Sequence, residues 1–216
     1  MSRLSEVADI LVLCGDLTDY GRLDEAEALA QELKTAVRLP IVAVLGNHDY
    51  ESDQSDGVAA TLRGIGVNVL DGDTCEVLGV GFAGVKGFAG GFGRGALGPW
   101  GERAVKQFVQ EAVAESLKLE SALARLRTPH MIAILHYAPI VATVVGEPPE
   151  IYPYLGCSRL AEPLARYPVT AVFHGHAHNG SPEGALGESP VFNVALPLMS
   201  RLSADLPVKI ITLPSQ

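Results

Sequence analysis

The sequence predicts an α/β fold, and three features of it do so. Apolar runs of strand length recur along the 216 residues. They are continuous rather than alternating, as expected for strands covered on both faces. Segments with helical spacing of apolar residues separate several of them, which implies at least one largely parallel sheet.

In chain order the strand-like runs are Ile10–Cys14, Ile41–Leu45, Val67–Leu70, Val77–Phe82, Met131–Leu135, Val169–Phe173, Val191–Ala195 and Val208–Leu213. Ser2–Asp9 reads as the tail of a helix. Leu23–Val37, rich in Ala, Leu, Glu and Lys, is a predicted helix with Pro40 just beyond its end. Gly101–Leu126 is the longest, carrying Val105, Phe108, Val109, Ala112, Val113 and Leu117 at helical spacing. Gly79–Gly98 holds nine glycines, too many for a stable helix, and reads as a strand end followed by a long loop. Gly146–Gly156, with three prolines, is a second irregular stretch. Neither resembles an interdomain linker, so residues 1–216 are expected to form one domain.

Composition narrows the function. Hydrophobic residues make up 48% and charged residues 19%, which excludes a disordered chain. The net charge of −9, with no Lys/Arg cluster, argues against a nucleic-acid surface. A phosphate substrate would therefore need metal cations or a few local Arg and Lys side chains. Cys14, Cys75 and Cys157 are widely spaced, without a CxxC pair, and suggest a reducing compartment. With no apolar run near the ~18 residues of a membrane span and no signal-like start, the expected location is the cytoplasm.

Four of the apolar runs end in polar turns. ILVLC leads into Gly15-Asp16-Leu17-Thr18-Asp19-Tyr20-Gly21, and IVAVL into Gly46-Asn47-His48-Asp49. MIAIL leads into His136, and VTAVF into His174-Gly175-His176-Ala177-His178. Five of the six histidines lie in these turns. The carboxyl ends of parallel strands are where open α/β sheets place ligands. Carboxylate, amide oxygen and imidazole together make a mixed oxygen/nitrogen set suited to Mn, Fe, Zn or Ni, and the scarcity of Cys disfavours a thiolate zinc site.

The order GDLTDYG, GNHD, a lone His after a strand, then GHAH resembles the calcineurin-like metallophosphoesterase superfamily over nearly the whole chain. The resemblance implies a four-layer α/β/β/α sandwich with two divalent metal ions at the strand ends. It implies that Asp16 bridges the metals and that Asn47, His136 and His176 complete one site. His178 would be a ligand of the other. His48 would act as general acid or as a cation stabilising the transition state, with Asp49 orienting it through a hydrogen bond. His174 matches no ligand position and is expected to be structural. Two such cations would generate a hydroxide nucleophile at neutral pH and clamp the phosphoryl oxygens of a small phosphomonoester or phosphodiester.

The family pattern also includes an Asp-x-His on a preceding strand, and this sequence contains none. Either Met1 is an internal start of a longer product, or the chain is a shortened relative. In the second case Asp16 and His178 alone would remain for the first metal. That site would then be weakly occupied, a sheet edge would lie bare, and the chain could bind metal or a phosphorylated ligand without efficient turnover. Oligomerisation is left open.

Other motifs carry less. Gly79-Val80-Gly81-Phe82-Ala83-Gly84 fits GxGxxG, but no helix opens from it. No phosphate-binding loop of the GxxxxGK[ST] kind is present. None of the cysteines is followed at six residues by an Arg to hold phosphate. Lys86 and Arg94, flanking Phe88 and Phe92, are candidates for substrate binding from a closing loop; the other reading is a solvated surface loop.

Overall fold

The computed structural model describes residues 2–214, the side chains of Ser2 and Arg3 apart. A short 3-10 turn, Ser2–Glu6, leads into β1 (Leu11–Cys14). There follow α1 (Leu23–Ala36), β2 (Ile41–Val44), α2 (Ser55–Arg63), β3 (Asn68–Val69), β4 (Asp73–Val77) and β5 (Val80–Gly84). The remaining elements are α3 (Arg103–Leu123), β6 (His130–Ile134), α4 (Tyr152–Leu155), α5 (Ala161–Leu164), β7 (Ala171–His174), β8 (Glu183–Leu186), β9 (Ser189–Asn193) and α6 (Leu196–Leu202).

These strands form two sheets. One is parallel, in the order β1-β2-β3. The other runs β4-β5-β6-β7-β9-β8, parallel from β5 through β9 with antiparallel pairs at its two edges. Their inner faces pack together through Cys14, Val42 and Val44 against Phe82, Ile134 and Phe173. Ala26, Leu33 and Leu62 of α1 and α2 cover the outer face of the first sheet. Leu119 and Leu123 of α3, with Leu164 of α5, cover that of the second. Helix, sheet, sheet and helix thus form the four layers that the family resemblance implied.

The apolar continuity of the buried strands is explained by this double cover: Ile41–Val44 is buried at every position, as is Ala171–His174. Helix α2 gave a weaker sequence signal because it is short, and its apolar face rests on Val58, Ala59 and Leu62 alone.

Two predicted strands differ. Val77–Phe82 is not one strand but the centre of a β4–β5 hairpin, in which Val77 pairs with Val80. Leu78 and Gly79 form its turn with φ of 51° and 78°. Two positive φ values match the right-handed twist of a two-residue hairpin, and Leu is a poor occupant of the first. Leu78 is 70% exposed. Leu78→Asn is therefore expected to raise the urea unfolding free energy by about 0.5–1 kcal/mol, since Asn tolerates this conformation. An unchanged or lower unfolding midpoint would count against the strain.

Val208–Leu213 is not a strand either. It runs as irregular chain, with Ile211 and Leu213 packed on the inter-sheet core. Burial of alternate apolar side chains holds it, without a ladder.

Strand β1 lies at the edge of its sheet. A cavity of about 980 Å³ opens beside it, lined by residues that include Val12, Phe82, Ile132, Phe173 and Ile211. The same cavity reaches Asp16, His136, His176 and His178.

Candidate metal centre

The strands that end in polar turns are neighbours within each sheet: β1 beside β2, and β6 beside β7. Face-to-face packing brings these four carboxyl ends together, so residues 120 positions apart in sequence become neighbours. The glycines of the turns permit the approach. A Cβ on Gly15 would collide with the His136 ring, and one on Gly46 with the backbone and carboxylate of Asp16.

The ligand atoms of Asp16, His136 and His176 lie within 4.8 Å of one another. From His136 Nε2 the distances are 2.8 Å to Asn47 Oδ1, 3.2 Å to His176 Nδ1 and 3.3 Å to Asp16 Oδ1. The tautomers follow from the opposite ring atoms. His136 Nδ1–H donates to the Cys14 carbonyl at 2.8 Å, and His176 Nε2–H to the Tyr154 carbonyl at 3.2 Å. Each ring therefore turns a bare lone pair inward. Burial is the main reason both stay neutral, pushing His136 down to about 3 and His176 to about 4. Four electron-pair donors thus converge on one point with no proton between them. That arrangement is repulsive by itself and fits a divalent cation.

Two of these residues hold rare backbone conformations. Asp16 has φ 51° and His176 has φ 66°. Left-handed conformations in non-glycine residues cost about 1–3 kcal/mol each and persist only where surrounding bonds enforce them.

Asp49 supplies such bonds around Asp16. It is fully buried. Its Oδ1 accepts from Leu17 N (3.0 Å), Thr18 N (2.8 Å) and the Thr18 hydroxyl (2.7 Å), and its Oδ2 from Gly46 N (2.7 Å). It ties the GDLTD turn to the GNHD turn. The expected hydrogen bond from Asp49 to His48 is absent; a single 3-10 turn, His48–Tyr50, sends the two adjacent side chains in opposite directions, one inward and one out. The partner of His48 Nδ1 is instead the Asp19 carbonyl at 2.7 Å, a contact that sequence adjacency gave no means to anticipate. That carbonyl, followed by the charges of Asp16, Glu51 and Asp19, raises the His48 pKa against a smaller opposing effect of burial. The backbone N–H of His48 also donates to Asp16 Oδ1 at 3.0 Å.

The other candidates lie further out. His178 lines the cavity but is exposed and outside the three-residue cluster. His174 is fully buried, with Nε2 2.8 Å from the Thr143 hydroxyl, as a structural histidine should be. Lys86 is buried; its Nζ donates to the Gly87 carbonyl and sits 4.9–5.5 Å from the rings of Phe88, Tyr50 and Tyr137. Burial holds its ammonium below the usual lysine range. Arg94 is exposed on a 3-10 turn, Gly93–Gly95. Neither Lys86 nor Arg94 lines the cavity that holds the cluster.

The chain is thus an α/β/β/α sandwich with a candidate metal centre at its strand ends. Residues 3–180 match the calcineurin-like phosphoesterase family, and the chain belongs to it. No curated protein matches the chain. Among solved structures, it is similar to a putative 5'-nucleotidase from Staphylococcus aureus in complex with alpha-ketoglutarate, at 14% identity and a TM-score of 0.49. That match covers 79% of this chain but only 34% of the other, so the chain spans about a third of that protein's length. Among the described residues no helix is long and apolar enough to cross a membrane.

Proposed function

We propose that the chain hydrolyses phosphate esters of small molecules at this centre, with Asp16, Asn47, His136 and His176 holding a divalent metal ion. The observation that carries the reading is the convergence of Asn47 Oδ1, His176 Nδ1 and Asp16 Oδ1 on His136 Nε2, all within 3.3 Å of it. When bound, such an ion supplies a Lewis acid for phosphoryl oxygens and acidifies water. Mn, Fe, Zn and Ni all suit the donor set.

His48 acts as the general acid. Its Nδ1 is committed to the Asp19 carbonyl, which leaves Nε2 as the atom that carries a proton to the leaving oxygen. Because the His48 pKa is raised, the protonated form persists above the ordinary value of 6.5. Turnover should fall as pH rises through that raised pKa. His48→Ala is expected to lower kcat by about 10²–10⁴-fold on p-nitrophenyl phosphate or bis-p-nitrophenyl phosphate and to remove this alkaline decline. Bound Mn²⁺, measured by calorimetry, should be unchanged; its loss would make His48 a ligand instead.

A second reading is supported by the position of His178, exposed and apart from the cluster. With one metal held and the other site unassembled, the chain binds metal or a phosphorylated ligand with little turnover. Tight Mn²⁺ binding without hydrolysis of either ester selects this reading, and hydrolysis of either rejects it.

A further inference from the structure

His176 keeps its left-handed backbone in an irregular loop after β7, and buried groups outside the metal cluster surround that loop. Glu147, only 7% exposed, accepts from Asn179 N–H at 2.6 Å with Oε1 and from the Asn179 side-chain amide at 3.2 Å with Oε2. Asn193, fully buried at the end of β9, donates through Nδ2 to the Ala177 carbonyl at 2.7 Å and the Thr143 carbonyl at 3.3 Å. Its Oδ1 accepts from Ala195 N–H at 3.1 Å. Gly146 and Gly180 allow the two segments to touch, since a Cβ on either would collide with the opposite backbone.

The geometry points to Glu147 and Asn193 as positioning residues that clamp Gly175–Asn179 so that His176 Nδ1 faces His136 and Asp16. Neither touches the metal cluster. Both hold the chain on the C-terminal side of His176, Asn193 at residue 177 and Glu147 at residue 179. The clamp also fixes the segment 143–147 beside the site, the end of which, Gly146 and Glu147, the sequence marked only as the start of an irregular stretch. This inference rests on reading His176 as a metal ligand.

The test uses the full chain and Mn²⁺ alone. Outer partners that orient metal ligands are worth roughly 10–100-fold in affinity. Glu147→Ala should weaken Mn²⁺ binding by about that factor in calorimetry. Glu147→Gln, which restores an acceptor for the Asn179 N–H, should recover most of it. In the metal-free protein, hydrogen exchange at the Ala177 and Gly180 amides should quicken in Glu147→Ala and not in Glu147→Gln. Asn179→Ala removes only the side-chain bond from an exposed position, so it carries the test if Glu147→Ala does not fold; both readouts should move in the same direction, by less. Binding and exchange that stay unchanged in the folded variants overturn the inference alone. Failure of the unsubstituted chain to bind Mn²⁺ overturns the metal reading and the inference together.

Discussion

Replacing Asp49 with alanine is expected to destabilise the protein by about 4 kcal/mol and to abolish metal binding. The substitution strands three backbone N–H groups and the Thr18 hydroxyl, all of which now donate to one buried carboxylate. A buried donor without a partner costs roughly 1–3 kcal/mol, and these costs add only in part because the loops relax. Such a loss is a large fraction of the roughly 5–15 kcal/mol that holds a typical domain together. Relaxation would also release the left-handed Asp16, because Leu17 and Thr18 would no longer be tied to Gly46. Asp49→Asn keeps one acceptor oxygen but turns an N–H₂ toward a donor. It should fall between the two, at about 1–3 kcal/mol. Urea unfolding of the three proteins gives the ranking, and an Asp49→Ala midpoint equal to the parent's would remove the clamp from the account.

The metal-free protein is also expected to lose stability steeply between pH 6.5 and pH 4. His136, His174 and His176 have an ordinary value of 6.5 when unfolded, but burial pushes them to about 3, 4 and 4 in the fold. The unfolded chain therefore binds protons that the folded chain refuses. The stability is complete above the unfolded value and drains as pH falls toward the folded ones. Each such histidine contributes up to about 1.4 kcal/mol per pH unit, so three together approach roughly 4 kcal/mol per unit in the steep range. Asp49, whose value is raised, opposes part of this trend, whereas the raised value of His48 acts above pH 6.5 and leaves the slope below it nearly unchanged. Urea midpoints at pH 7.5, 6 and 5 in the presence of a chelator measure the slope, and His174→Asn should reduce it by about a third. A flat profile over that range would show these rings to be solvated.

Much of the centre was legible because its logic is local. A buried parallel strand must be apolar throughout, so the first polar residue after it marks the end where sites form. That rule, applied to four runs, pointed to Asp16, Asn47, His136 and the His174–His178 turn, within which the family resemblance singled out His176. The hydrogen-bond partners of Asp49 and His48 were not legible, because a single 3-10 turn decides which of two adjacent side chains points inward. The φ values of Asp16 and His176 were hidden too, since long-range bonds rather than residue type impose them. Val77–Phe82 misled because Leu78 is apolar yet forms an exposed turn. Val208–Leu213 misled because apolar packing there proceeds without a ladder.

The bonds that hold Asp16 and His176 in unfavourable backbone conformations are made by protein atoms alone. On the proposed reading of this centre as a metal site, folding itself would supply part of the cost of gathering its donors. A cation taken up there would meet donors whose spacing the fold already restrains.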